Sequence, residues 1–284
     1  MSRINEELFD SFMDIALRED IGDGDHTSLS CIPDSAAGKA CLLVKEKGII
    51  AGIEMAVRIF DRIDPRCRLQ IIKKDGDPVA DGDQVFIVSG PSRSILKAER
   101  LVLNVLQRMS GIATLTRLYV EELRGLKTRI LDTRKTAPGI RLLDKEAVRI
   151  GGGMNHRMGL WDMVLLKDNH IDFAGGIEPA VRKARQYLQR ENKELFIVVE
   201  ARNLEDVAEI LRVGGVNRIM LDNFDLETTR KAVELVAGRY QVESSGRINL
   251  DNLRDYARCG VDYISVGALT HQARNLDLSL KALP

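Results

Sequence analysis

Several signals that would assign a class at once are missing from this chain. Its 42 basic and 42 acidic residues cancel, so no whole-molecule field points to nucleic acid or to a membrane surface. Any anion site must therefore be local. Its four cysteines, Cys31, Cys41, Cys67 and Cys259, are far apart and make no Cys-x-x-Cys pair, so neither a structural zinc nor a disulfide framework is suggested and reduced thiols are expected. No apolar run approaches membrane-spanning length, and the first residues lack a basic start followed by an apolar stretch, so a cytoplasmic setting is expected. There is no Walker loop, no His-Glu-x-x-His and no Gly-x-Ser-x-Gly elbow. His26, His170 and His271 stand apart from metal partners at motif spacing and read as hydrogen-bonded structural residues. Asp23 and Asp25 resemble the start of a calcium loop without its downstream ligands.

What is present is a ladder of short apolar runs, each closing on a polar residue: 129–133, 163–167, 196–200, 218–222, 240–244 and 262–266. They read as buried strands. Successive ends lie 34, 33, 22, 22 and 22 positions apart, room for one helix and two loops per step. That rhythm predicts βα units, with helices near 177–190, 204–213, 226–237 and 250–259. In a closed parallel barrel the C-terminal strand ends converge on one mouth, where barrel enzymes keep their chemistry.

The first hundred residues differ. Residues 5–19 place Leu8, Phe12, Ile15 and Ala16 on one face of a helix, and Gly22-Asp-Gly-Asp25 ends it. β-like runs at 41–44, 69–72 and 84–88, an amphipathic helix at 53–63 and Asp-Gly turns at 75–77 and 81–83 predict a small α+β domain. After Pro91 a helical stretch from Ser94 to about Gly125 is expected to be interrupted near Ser110-Gly111. The resulting division is an N-terminal α+β domain over 1–110, a barrel over 111–270 and a C-terminal segment, 271–284, packing back on the first domain.

Arg134, Lys135, Arg141, Lys145, Arg149, His156, Arg157 and Lys167 crowd into 34 positions of an otherwise neutral chain. Arg134 and Lys135 follow the first barrel strand, and Lys167 ends the next, so these cations face the mouth. Gly151-Gly-Gly153 runs into His156 and Arg157, a sequence that lets backbone approach a ligand while delivering an imidazole and a guanidinium. Together they describe a pocket for a strongly anionic small molecule. Glu200 and Asp222 are acidic strand ends beside it. There they can bind sugar hydroxyls, hold magnesium jointly with phosphate oxygens, stabilise developing positive charge, or pair with a barrel cation. Ser244-Ser245-Gly246 and Ser265-Val266-Gly267 offer amides and hydroxyls where barrels often hold phosphate.

Four motifs in order, Leu131-Asp-Thr-Arg-Lys-Thr-Ala-Pro-Gly139, Gly151-Gly-Gly-Met-Asn-His-Arg-Met-Gly-Leu160, Leu165-Leu-Lys-Asp-Asn-His170 and Ser265-Val-Gly-Ala-Leu-Thr-His271, resemble those of quinolinate phosphoribosyltransferases. The likeness extends to Ala98-Glu-Arg100 and Ser110-Gly-Ile-Ala-Thr114. It implies an incomplete α/β (TIM-like) barrel with an N-terminal α+β sandwich-like domain. It also implies transfer of the phosphoribosyl group of phosphoribosyl pyrophosphate (PRPP) to quinolinate, with decarboxylation, and a magnesium cofactor. The expected assembly is a homodimer with shared active sites, with a hexamer as the alternative, and neither nucleic acid nor membrane is a partner. By resemblance, Arg134, His156, Arg157 and Lys167 would hold quinolinate, with Arg100 reaching in from the partner subunit, and Thr133 would also be substrate-binding. Lys135 and Lys167 would face the pyrophosphate, Glu200 and Asp222 the ribose hydroxyls and magnesium, and Ser244 to Gly246 and Ser265 to Gly267 the 5′-phosphate. Lys135, Lys167, Glu200 and Asp222 would be the catalytic set. One departure is Arg247, where relatives usually carry glycine or asparagine after Ser-Gly. The rival readings are a paralogous phosphoribosyltransferase acting on another ring without decarboxylation, and a catalytically silent phosphosugar-binding relative.

Overall fold

The computed structural model describes residues 6–284. In chain order it contains α1 (Glu6–Ile21), α2 (His26–Cys31), β1 (Ala37–Val44), β2 (Gly48–Ile49), α3 (Ile53–Ile63), β3 (Arg68–Ile71), β4 (Pro78–Val79), β5 (Gln84–Pro91) and α4 (Ser92–Glu122). There follow β6 (Arg129–Leu131), α5 (Arg141–Gly151), β7 (Val164–Leu166), α6 (Asp168–Ala174), α7 (Ile177–Arg190), β8 (Ile197–Ala201) and α8 (Leu204–Val213). The last elements are β9 (Arg218–Asp222), α9 (Leu226–Val236), β10 (Gln241–Ser245), α10 (Leu253–Arg258), β11 (Tyr263–Ser265), α11 (Ala268–His271) and β12 (Leu278–Leu283). Contacts divide the chain into two units. One holds the chain up to Arg117 with Thr136–Gly152 and Leu269–Pro284, the other Leu118–Lys135 and Gly153–Ala268.

The first unit is built on an antiparallel sheet of order β12-β1-β5-β3, with a two-stranded β2-β4 ribbon. β12 pairs with β1 from Lys39↔Leu283 to Val44↔Leu278, so the last strand of the chain borders one of the first. α3 buries Ile53, Met55, Ala56, Ile59 and Phe60, the spacing of one helical face. Its start follows Gly52 in a left-handed conformation, φ 102°, and the N–H groups of Gly52 and Ile53, which have no partner within the helix, donate to the Asp75 carboxylate at 2.7 and 2.9 Å. An aspartate from a turn thus caps a distant helix.

α1 and α4 depart from their expected forms. α1 buries Phe9 and Met13, whereas Leu8 and Ile15 are exposed; the i, i+4 pair that carries the aromatic ring wins the inner face, and the Arg58 guanidinium lies 3.7 Å over that ring. α4 runs unbroken through Ser110-Gly111 for 31 residues. The Ser110 hydroxyl is buried against the Ala51 backbone, and a Cβ on Gly111 would overlap the Arg274 carbonyl. The glycine permits a close approach and does not end the helix. The Asp23–Asp25 turn has an ordinary role, because the Asp25 side chain caps α2 by accepting from the Ser28 amide at 3.1 Å.

The second unit carries all six runs of the ladder as parallel strands, in the order β6-β11-β10-β9-β8-β7. β8 is buried at all five positions, as a parallel strand covered on both faces should be. β6 and β7 do not pair, and on the open edge of β6 the chain around Met154 makes a short parallel bridge to Leu131. The arrangement is an incomplete α/β barrel, and the extra length between the first two rungs holds α5 and this bridge.

Candidate active site

Register decides which side chains share the inner face of the open barrel. Leu165 pairs with Val198 and Val198 with Arg218; Glu200 pairs with Met220, Met220 with Glu243 and Glu243 with Tyr263; Asp222 pairs with Ser245. Because strand side chains alternate, one face holds Leu165, Lys167, Val198, Glu200, Met220, Asp222, Glu243, Ser245 and Ser265. Leu165, Val198 and Met220 pack together as its apolar floor. Toward the strand ends the same face turns polar.

The Lys167 ammonium lies 3.1 Å from Glu200 Oε2, so the acid nearest the cationic side does pair with a barrel lysine. Lys167 sits just after β7, where its amide donates to His170 Nδ1 at 3.1 Å. His170 is thus the hydrogen-bonded structural histidine expected of it. Glu200 is buried, whereas Asp222 is half-buried and accepts from the Asn223 side chain at 2.8 Å. The two acids are diagonal neighbours on adjacent strands. Among the described residues no group of three or more acidic, cysteine or histidine side chains could cage a metal. Two carboxylates, one already engaged by a lysine, suit a magnesium ion held mainly by substrate oxygens and water.

After β6, Thr133 Oγ1 accepts from the Lys135 amide at 3.1 Å and turns the chain, leaving Arg134 and Lys135 exposed. Arg157 is buried, with Nη1 donating to the Met163 carbonyl at 3.3 Å. Burial and the neighbouring Arg134 charge both lower the affinity of its guanidinium for its proton. A desolvated cation pushed against another cation has most to gain from an anion. Arg141, Lys145 and Arg149 instead belong to α5 in the first unit, where Arg149 pairs with Glu146 at 2.5 Å. Arg100 is exposed on α4, also in the first unit.

The glycine run serves packing more than a ligand. Gly152 ends α5 at φ 98°, and a Cβ on Gly151 would come within 2.6 Å of the Ala113 carbonyl. After β10, Gly246 has φ 98° and a Cβ there would overlap the Asn223 side chain, so the turn lies tightly over the Asp222 corner. Arg247 keeps a left-handed φ of 52°, the conformation that glycine and asparagine adopt at least cost. Ser265 shares the inner face and is buried, as are Val266 and the Ser244 side chain. Ser244 pairs with Leu221 and Ile264, which puts it on the opposite face from Glu243 and Ser245.

Sequence reasoning missed three buried groups. Asp132 accepts from the His156 amide at 2.8 Å and from Asn155 Nδ2 at 2.6 Å. Glu243, wholly buried, faces Arg218 Nη1 at 2.9 Å and His156 Nε2 at 3.5 Å. Arg218 in turn lies 4.1 Å over the Tyr263 ring. Burial pushes the Glu243 carboxyl up, but hydrogen bonding and charge from His156 and Arg218 outweigh it and hold it below the usual range. The available signal for Glu243 was its place on the same strand face as Ser245, two positions before the strand's polar end.

Models of the quinolinate phosphoribosyl transferase N-terminal domain and C-terminal domain match residues 25–110 and 112–281. A relative from Arabidopsis thaliana named nicotinate-nucleotide pyrophosphorylase [carboxylating], chloroplastic, is 46% identical over 282 residues, covering 94% of this chain and 80% of that protein. One from Synechocystis, named probable nicotinate-nucleotide pyrophosphorylase [carboxylating], is 42% identical over 277 residues, covering 96% and 92%. The crystal structure of NadC from Streptococcus pyogenes superposes with a TM-score of 0.92 at 38% identity, over 100% of both chains. Two family models covering both halves in order, and relatives matched almost end to end, make this chain a member of the quinolinate phosphoribosyltransferase family.

Proposed function

We propose that the protein transfers the phosphoribosyl group of PRPP to the nitrogen of quinolinate, releasing pyrophosphate and carbon dioxide and forming nicotinate mononucleotide. It is an enzyme of pyridine nucleotide synthesis. The observation that carries this reading is the buried Arg157 beside Arg134, a paired cationic site at the mouth of a barrel whose neighbouring strand ends carry Lys167, Glu200 and Asp222.

Quinolinate is a diacid, and two guanidiniums with a lysine match two carboxylates. The pyridine nitrogen attacks the anomeric carbon as the bond to pyrophosphate breaks. Lys135 and Lys167 face the departing charge. Glu200 and Asp222, fixed beside the sugar before reaction, hold its hydroxyls and stabilise the positive charge that develops on the ribose. Bound with the substrate, magnesium would neutralise pyrophosphate charge, and Glu200 and Asp222 are the residues that would hold it, directly or through water. Once the nitrogen is quaternary, the adjacent carboxylate leaves as carbon dioxide, because the electron pair left on the ring carbon sits next to positive charge. A proton delivered to that carbon completes the product. Ser245, Gly246, Ser265 and Gly267 are suited to the 5′-phosphate, with Ser244 and Val266 supporting the same loops from the buried side.

The same pocket explains selectivity. A pyridine with one acid leaves a buried cation unpaired, which costs about 1–3 kcal/mol. Nicotinate is therefore expected to be a poor substrate. Among the described residues no helix is long and apolar enough to cross a membrane, and we place the reaction in the cytoplasm. Arg157→Ala tests the reading: kcat/KM for quinolinate should fall at least about 100-fold with the fold intact. Near-normal turnover would remove Arg157 from the site.

A further inference from the structure

The turn after β10 places an arginine where the backbone asks for glycine. Arg247 has φ 52°, a left-handed conformation in which an ordinary side chain crowds the following carbonyl. Its neighbours fix that bend without help from its side chain. Gly246 lies so close to Asn223 that a Cβ would overlap the side-chain oxygen, the Arg247 carbonyl accepts from Asn252 Nδ2 at 3.3 Å, and Ile248 is buried. The guanidinium itself is exposed and has no hydrogen bond or ion pair among the described residues. Asp222, the acid at the end of the adjacent strand, is met by the Asn223 side chain instead. The turn therefore carries backbone strain and an unspent charge, and neither stabilises the fold.

Position says what that charge can meet. The sheet order β6-β11-β10 sets three loops side by side: the one with Arg134 and Lys135, then Val266-Gly267, then Gly246-Arg247. The pairs Glu243↔Tyr263 and Ser244↔Ile264 bring Ser245 level with Ser265, so the last two loops leave their strands at one height. Neither 245–249 nor 265–270 contains an acid. Small, hydroxyl-bearing residues thus lie in a row between Arg134 on one side and Arg247 on the other, a setting that favours a phosphate dianion. Arg134, like Arg247, has no acidic partner among the described residues.

We propose that the Arg247 guanidinium is a direct ligand of the 5′-phosphate of PRPP, adding a charged donor to the amides and hydroxyls of the two loops. This rests on the reading that those loops hold the 5′-phosphate. A glycine at 247 would relax the turn and lose the donor.

Arg247→Asn and Arg247→Gly test the proposal, because both residues accept a left-handed backbone and neither carries the charge. Melting temperature, KM for each substrate, and inhibition constants for ribose 5-phosphate and for pyrophosphate are measured on both variants and on wild type. Arg247→Asn is expected to melt at or above wild type, since it removes strain and no contact. In both variants KM for PRPP and the inhibition constant of ribose 5-phosphate should rise roughly 10-fold, the loss of one charge-assisted hydrogen bond. KM for quinolinate and the inhibition constant of pyrophosphate should stay within about 2-fold, because those anions lie outside the reach of the loop after β10. An unchanged ribose 5-phosphate constant overturns the proposal. So does a loss confined to pyrophosphate, which would put the guanidinium on the leaving group, and so does an Arg247→Asn variant that melts clearly below wild type, which would make the side chain part of the fold. Wild-type protein that neither uses PRPP nor is inhibited by ribose 5-phosphate would instead sink the phosphoribosyl reading itself, and this proposal with it.

Discussion

Arg157 shows what a residue-scale reading can and cannot reach. Its place in a cation-rich motif marked it for anion binding, but its burial and the repulsion from Arg134 are tertiary facts that no spacing reveals. The same holds for Glu243 and Asp132. Each was visible as an acid near a strand, yet their partners lie far off in sequence, so their roles emerge only once the strands are assembled. Gly111 failed in the opposite direction, because helix propensity argued for a break that packing forbids. In an ordinary helix interior, glycine to alanine stabilises by up to about 1 kcal/mol. Here the added methyl would overlap the Arg274 carbonyl. Gly111→Ala should therefore destabilise by about 1–3 kcal/mol in denaturant melts, and a stabilised variant would show that the approach is not tight.

At the scale of elements, strands in the barrel were the most legible part of the chain. Buried parallel strands are short apolar runs with abrupt polar ends, and a βα repeat keeps them in rhythm. α1 was less legible because Leu8, Phe9, Phe12, Met13 and Ile15 surround it with apolar side chains, so periodicity alone could not choose the inner face. β12 pairs with a strand more than two hundred residues away; the sequence placed 271–284 against the first domain, but local pattern named neither the strand nor its partner. Asp64 illustrates how such elements are joined. It ends α3, accepts from Arg66 Nη2 at 2.8 Å and receives the Ser94 hydroxyl of α4 at 2.6 Å. Hydrogen bonds from Arg66 and Ser94 hold its carboxyl well below the usual range. A depressed folded-state value means stability that is present above about pH 4, the ordinary carboxylate value, and lost as pH falls toward the folded one. Asp64→Asn is expected to melt roughly 2–4 °C below wild type at pH 7, with the gap beginning to narrow below about pH 4 and closing only as pH falls to the depressed folded value. A gap that stays constant across that range would deny the ion pair its part.

For the whole molecule, the four ordered motifs pointed to the family that the comparisons establish and, through that resemblance, to an incomplete barrel, whereas the six-rung ladder alone pointed to a parallel barrel. Arg100 belongs to this scale because its proposed role needs a second copy of the chain. If it acts across a homodimer, mixing Arg100→Ala with Arg157→Ala should restore up to about a quarter of wild-type activity, because one site in a mixed dimer regains both arginines. Activity no greater than the sum of the two variants would place Arg100 elsewhere.

The reaction itself offers the most direct check. Purified protein given quinolinate, PRPP and magnesium should release carbon dioxide and pyrophosphate in equal amounts as nicotinate mononucleotide accumulates, with no product when any one component is left out. Pyrophosphate without carbon dioxide, or nicotinate accepted as readily as quinolinate, would contradict a pocket built for a diacid.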